Sequence, residues 1–519
     1  MITWLFTIVL VVLVLFVYKY VTREEITPVT PSEEKEKTIA VLPLKNWSGD
    51  VELEYVSDGM TDAIITKLSG IQSIERVVPF TSVLQYKDSN MDIQRIADEL
   101  GVSYVLEGNF KLSGDQVQSN LKLIEAKESK PVWSLEYSGL WKSDEIFQLQ
   151  ADVAENVAQY IKADVTREEI EQIQMVPTKN TEAYMLYLEG FYQINVLDNP
   201  NLENSISLFE KAIKLDSTFI EPYSALGNNY VMTGLVWGIS NEQEAWRKAK
   251  PYFEKALELD SLKGGRQNQQ IMSSYLSGKF HFDWDLQSME DLHQVERGKL
   301  DPFNGIAYND YSRKMGRFQE SMTHINKIIA ADPTNSILFM SKGVVYYFMG
   351  EEEKAMALFE THNKTSGYNY FYLMETAKYY YYMDKIDQSS QQLKKLLDNF
   401  EDRPPIVLWL MAVHAQLEEN DIVLNESLEK LHAKFKDNTS GSPGWFIALY
   451  YCHMKEYDKA FEWLEKSYDH HEVEMMWLKE EPLLRPLRTD PRYVDLYERV
   501  GFSKISPITP YTAEVENKN

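Results

Sequence analysis

Phe339-Met-Ser-Lys-Gly-Val-Val-Tyr-Tyr-Phe-Met-Gly-Glu-Glu-Glu-Lys-Ala-Met-Ala-Leu-Phe359 is the stretch whose reading decides the fold. Large, small and aromatic residues stand at fixed offsets in it: Phe339, Lys342, Gly343, Tyr346, Gly350, Ala355 and Phe359. The offsets suit two short antiparallel helices, A and B, in a repeat of about 34 residues. Gly343 lets the helices approach, Tyr346 fills the gap between them, and Ala355 with Phe359 presents the inner side of helix B. One pair cannot hide its apolar side alone, so copies must stack into a solenoid.

The pattern returns on both sides. Thr181 to Ser217 holds a first copy with Leu188, Gly190, Phe209, Ala212 and Leu215. The second has Tyr223, Leu226, Gly227, Tyr230, Ala249, Phe253, Ala256 and Leu259-Asp-Ser261. About ten residues more than the template needs lie between Tyr230 and Ala249, a stretch that includes Trp237 and Trp246. They make either a ligand-contacting loop or a longer helix pair around buried tryptophans. A degenerate third copy runs from Phe282 to Pro302, and a fourth turns at Met315 to Phe318 and ends at Asp332-Pro333. Phe339 to Phe359 is the fifth, and Tyr368 to Leu396 the sixth, with Asp384 in place of the turn glycine. Pro405 to Phe435 and Trp445 to Tyr468 are weaker seventh and eighth copies. The set resembles tetratricopeptide repeats, whose A helices line a concave groove that holds a peptide. The candidate partner-binding residues are therefore Tyr230, Trp237, Tyr346, Tyr379 and Tyr380. The run Tyr379 to Tyr382 must split between core and groove, because four consecutive helical residues point all round the axis.

At the other end, Ile2 to Tyr18 is almost wholly apolar, long enough nearly to cross a hydrocarbon core of about 30 Å. Trp4 at one end and Tyr18 with Tyr20 at the other suit interfacial anchors. A cleaved signal peptide needs a basic start and a small-x-small site, and neither is present. A single-pass transmembrane anchor over residues 1–22 is the expectation, followed by a linker over 23–37.

A small α/β layer domain is predicted over 38–165. Thr38 to Leu42 reads as a buried strand, Asp58 as the N-cap of a helix ending at Gly70, and Val77-Val78 as a second strand. Asp92 caps another helix that stops at Gly101, and Ser103 to Glu107 opens a third strand. Val117 to Ile124 and Val132 to Tyr137 alternate apolar and polar residues, and Ser143 to Ile161 closes the unit as a helix. Ile39-Ala-Val-Leu-Pro43, Asp58-Gly59, Thr81-Ser82, Leu100 to Gly108, Leu121 to Ala126, Trp133 and Ile146 to Gln150 follow in an order that resembles a TolB-like domain. The resemblance is to the domain that precedes tetratricopeptide repeats in bacterial membrane-anchored regulators and cyclase-associated proteins. It implies a place at the bacterial inner membrane with the body in the periplasm.

The charge of −26 over 519 residues argues against a nucleic-acid backbone as partner, since no Lys/Arg-dense run stands out. The one cysteine, Cys452, excludes an internal disulfide framework. No phosphate loop, dinucleotide fingerprint or zinc-protease motif occurs. Asp469-His-His-Glu472 has the right residue types for a metal, but neighbours on a helix point about 100° apart and do not converge. No catalytic residue, cofactor or metal is expected.

The expected fold class is thus multidomain: a transmembrane helix, a TolB-like α/β domain, an all-α repeat superhelix over 181–475, a capping segment over 476–503 and a tail over 504–519. The expected function is a membrane-anchored, non-catalytic interaction or sensory protein of the bacterial envelope that binds protein or peptide partners and acts in signal transduction. The alternative is the sensory half of a transcriptional regulator whose helix-turn-helix module lies upstream.

Overall fold

A computed structural model of the chain describes residues 36–505 apart from 88, 196–200, 236–239, 266–267, 296–301, 364–368 and 402. It is a mostly helical superhelix of stacked pairs with a small sheet region at its N-terminal side.

The sheet forms where the continuous apolar runs lie. Strand β1 (Thr38–Val41) is buried along its whole length, as a strand covered on both faces must be. It pairs in parallel with β3 (Arg76–Val77) and with β4 (Tyr104–Ser113). Strand β2 (Lys45–Asn46) runs parallel to the far end of β4. Strands β4, β5 (Gln116–Glu125) and β6 (Lys130–Leu140) form an antiparallel meander, so the order is β3-β1-β4-β5-β6. Helices α1 (Glu54–Ser69) and α4 (Ser143–Tyr160) cross the strands and touch each other. Between them come the short α2 (Phe80–Val83) and α3 (Ile93–Leu100). Helix α3 starts and stops where its caps predict: the Asp92 side chain accepts from Arg95 N–H, and Gly101 takes φ +63°.

Asp58-Gly59 differs from its reading as a cap and turn. Both residues lie inside α1, which begins at Glu54. Asp58 is buried and bonded by the Lys87 ammonium at 2.7 Å, a cation too far away in sequence to be seen as its partner. Gly59 gives Leu188 of the first repeat room: a Cβ there would stand 2.6 Å from its side chain.

After α5 (Arg167–Ile173), the helix pairs follow in A–B order: α6 (Thr181–Asn195) with α7 (Leu202–Leu215), α8 (Ile220–Leu235) with α9 (Glu242–Leu262), and α10 (Asn268–Phe282) with α11 (Leu286–Val295). Then come α12 (Pro302–Lys314) with α13 (Phe318–Ala331), α14 (Ser336–Phe348) with α15 (Glu352–Asn363), and α16 (Tyr370–Tyr382) with α17 (Ile386–Asn399). Helices α18 (Pro405–Leu417) with α19 (Asp421–Lys436) and α20 (Pro443–His453) with α21 (Tyr457–Asp469) complete the array. The glycine of the A helix faces a phenylalanine of its B helix repeatedly. A Cβ at Gly190, Gly227 or Gly343 would lie 2.6, 2.7 or 2.5 Å from the ring of Phe209, Phe253 or Phe359. The A–B turn returns as a left-handed residue at Trp284, Gly316, Gly350, Asp384, Glu419 and Lys455. These positions recur about every 34 residues, the period of a tetratricopeptide repeat.

One repeat boundary differs from the sequence reading. The third pair begins at Asn268, and Phe282 ends its A helix rather than opening the copy. Trp284 occupies the turn-glycine position with φ +53°, held by stacking on His471 at 3.6 Å. Tertiary packing there outweighs the local preference for glycine. The extra residues of the second copy lengthen α9, and Trp246 is buried in it, stacked on Phe282 at 5.4 Å.

The membrane expectation is corrected. Among the described residues no helix is long and apolar enough to cross a membrane, so the transmembrane fold class and a single-pass inner-membrane placement are not supported. The stretch 1–22 and most of the linker lie outside the described residues, as does the tail from 506 onward.

Past α21 the chain does more than cap the last pair. Two 3-10 turns, Val473–Trp477 and Pro482–Leu487, precede α22 (Pro491–Val500), which returns to α21. The start of α9 meets the turn between α19 and α20, with Asn241 donating to the Asn438 carbonyl at 3.1 Å. Arg76 of the sheet region donates to the Ala330 carbonyl at the end of α13, at 3.0 Å. The array therefore curls back on itself.

Candidate functional site

The inner face of the array is built from the ends of the A helices, and residues 472–488 lie across it. A single short segment touches α9, α12, α14, α16 and α20, which only a concave face allows. Trp477 is its aromatic anchor. Its ring stacks on Phe348 of α14 at 5.9 Å and 13°, and Phe348 stacks in turn on Phe318 at 5.2 Å. Lys314 and Arg313 of α12 stand over the indole at 5.4 and 5.8 Å, within cation–π range.

Glu472 and Glu481 of the segment find donors. Glu472 accepts from the N–H groups of Gly444 and Trp445 at 2.9 and 2.8 Å, the open first turn of α20. The Ser467 hydroxyl donates to it at 2.7 Å. Glu481 accepts from the Tyr382 hydroxyl at 3.0 Å. From the opposite side Glu242, in the first turn of α9, accepts from Gly441 N–H at 2.8 Å. Val473 N–H points at the same carboxylate from 3.5 Å. Lys479 donates to the Met315 carbonyl, and Arg488 to the Lys479 carbonyl.

Burial raises these carboxyls. It pushes Glu242 up to about 8, helped by the nearby charge of Glu472, and Glu481 up to about 7. Glu474 is raised by burial too, while Lys314 and Lys378 pull it back. Burial also opposes the charge of Asp310, yet Lys314, His281 and Arg313 hold that carboxylate well below its ordinary range. Its bonds to Lys314, Arg313 and His281 are 2.8, 2.9 and 3.0 Å long. The result is a floor of fixed cations and stacked aromatic rings under an irregular, acidic piece of chain.

The sequence-derived candidates fall in different places. Tyr379 is buried in the aromatic floor, 5.9 Å from Phe348 and 5.3 Å from Tyr347. Tyr380 is buried on the other side of α16, against Phe359 at 5.5 Å. Tyr346 is half-buried between Lys342 and Lys354. Tyr230, also half-buried, stacks on Tyr252 at 5.8 Å. Trp237 lies outside the described residues, as does Tyr368. Of the residues that hold the segment, Tyr382 was read only as part of the tyrosine run, and Glu242, Arg313, Lys314 and Phe348 escaped the sequence reading, because nothing local links positions so far apart. The one available signal was Trp477 in a stretch without helical period.

Asp469 to Glu472 divide between solvent and the interior. Asp469 and His470 are exposed, but His471 is stacked on Trp284 and Glu472 is buried as an acceptor.

Comparison with known proteins bears on both regions. A family model described as the second domain of HilA/YgeH-like transcriptional regulators matches residues 35–156. That description differs from the TolB-like resemblance, which the match does not carry. A putative adenylate cyclase 3 of Rhizobium meliloti (strain 1021) is 32% identical over 173 residues, covering 33% of this chain and 29% of that protein. Tetratricopeptide repeat protein 6 of Homo sapiens is 24% identical over 222 residues, covering 41% of this chain and 38% of that protein. The chain thus spans well under half the length of either relative. Among solved structures, the human IFIT1 dimer with m7Gppp-AAAA aligns with 68% of this chain and 76% of its own, at 12% identity and a TM-score of 0.42. A tetratricopeptide repeat protein from Parabacteroides merdae ATCC 43184 aligns with 55% of this chain and 99% of its own, at 15% identity and a TM-score of 0.32. The repeat architecture is of the tetratricopeptide type, and folds of that type generally bind protein or peptide partners.

Proposed function

We propose that this chain is a non-catalytic interaction protein whose concave face takes an irregular protein segment carrying a large aromatic residue flanked by carboxylates. One observation supports the reading above all: the chain holds such a segment of its own, Glu472 to Arg488, by Trp477 on Phe348 under Lys314 and Arg313. Aromatic anchors in a cationic, aromatic floor are the features that dominate binding energy at protein interfaces. The same face is preferred to a regulator's sensory half because its chemistry is laid out in the chain's own contacts.

The test uses a fluorescent peptide of the sequence from His470 to Asp490, added in trans to the full chain. A Trp477→Ala variant, whose own segment is loosened, should bind the peptide saturably, and the unaltered chain should bind it far more weakly. Adding Lys314→Glu to that variant should abolish binding. A peptide that binds neither protein would refute the proposal.

A further inference from the structure

A cavity of about 160 Å³ lies where the sheet region meets the first repeat, between α1, α4, α5, α6 and the start of α8. Its wall is aromatic. Tyr187 lies 6.5 Å from Tyr184, 6.3 Å from Phe191 and 5.4 Å from Phe219, and Phe147 closes one end against Tyr184 at 4.6 Å. Into this wall α1 sets the Asp62 carboxylate.

Asp62 stands apart from the other polar groups of the cavity. Lys67 donates to the Ile173 carbonyl at 2.6 Å. Glu169 accepts from Gln72 N–H at 2.7 Å and from Thr166 N–H at 2.8 Å. Gln150 donates to the Tyr184 hydroxyl at 2.8 Å. No hydrogen bond or ion pair reaches Asp62 among the described residues. Burial alone pushes its carboxyl up to about 7. A half-buried carboxylate set among aromatic rings without a cation is held there at a cost that a bound cation would relieve.

We propose that this cavity binds a compact organic cation, a primary amine on an aromatic or branched apolar body, with the ammonium on Asp62 and the body against Tyr187 and Phe219. The volume suits it: a dry cavity of about 150 Å³ accepts a benzene-sized guest. So does the wall, because electron-rich rings around a carboxylate attract an ammonium from their faces. An anion is disfavoured by Asp62, by the Glu221 side chain on the same wall and by Glu169; the single cation present, Lys67, is already turned to a carbonyl. Occupation would tie α1 and α4 to α6, and so fix the sheet region on the array.

The experiment is titration calorimetry of the full chain with phenethylamine at about pH 8, beside its uncharged counterpart 2-phenylethanol. Phenethylamine should bind saturably at one site, with the alcohol at least about tenfold weaker. Asp62→Asn should lose at least about tenfold in amine affinity without a lower melting midpoint, since it removes an unpaired, half-buried charge. Ala63→Phe, which fills the cavity from α1, should abolish binding of both. No saturable amine binding, equal binding of the alcohol, or an undiminished Asp62→Asn variant would each overturn the proposal.

Discussion

Glu242→Gln should flatten the pH dependence of this fold in a direction that can be worked out beforehand. Glu242 is 4% exposed, and its carboxyl titrates at about 8 in the folded chain against 4.5 in a free side chain. The raised value means that the folded chain keeps this proton while the unfolded chain releases it. Stability from this group is therefore complete below about pH 4.5 and lost as pH rises towards about 8. Each pH step inside that window is worth about 1.4 kcal/mol, so the whole loss is about 3–5 kcal/mol. Glutamine copies the neutral acid and keeps an acceptor for Gly441 N–H, so the variant does not lose it. Urea unfolding of both proteins, followed by tryptophan fluorescence between about pH 5 and pH 8.5, gives the difference in stability at each pH. Titrating groups distant from Glu242 cancel in that difference. It should rise from near zero at low pH to about 3–5 kcal/mol in favour of the variant at the top of the range. A difference that stays flat, or a variant weaker at every pH, would refute the claim that α9 holds Gly441 and Val473 through a protonated acid.

Gly343→Ala should lower stability by about 1–3 kcal/mol, because its Cβ would meet the Phe359 ring at 2.5 Å; an unchanged thermal midpoint would contradict that close approach. Lys87→Met should destabilise by about 3–5 kcal/mol, since it leaves the buried Asp58 without its cation. Adding Asp58→Asn should restore much of that loss, and a double variant as weak as the single would exclude the ion pair as the cause. Trp477→Ala should expose the segment to trypsin at Lys479 and Arg488, seen as faster cleavage there than in the unaltered chain with the helix pairs intact; cleavage spread over the whole array would show global unfolding instead.

Much of the array was legible because its signals are local. Gly343 against Phe359 is written at a fixed spacing, and so is Asp384 in a turn that needs a left-handed residue. Asp92 and Gly101 bracket their helix for the same reason. What escaped is long-range. Asp58 looked like a cap because Lys87 is distant in sequence, and Trp284 hid a turn because His471 supplies its stacking partner. The binding face was the hardest to see. Tyrosines were its natural candidates, but Tyr380 serves the core and Tyr379 only floors the site, while Phe348 and Lys314 carry no mark that separates them from packing residues.

A face already filled by the chain's own segment can still serve a partner, and energetics set the terms. A partner for the same floor sees only the fraction of molecules whose segment has left, so its apparent affinity falls by that fraction. Trp477 is half-buried, and losing its stack and its two cations should weaken docking by about 2 kcal/mol, a factor of about thirty. The trans peptide should therefore bind the Trp477→Ala chain about thirtyfold more tightly than the unaltered chain. Equal affinity would place the peptide elsewhere on the molecule, because a ligand that does not compete with the segment cannot sense whether it is docked.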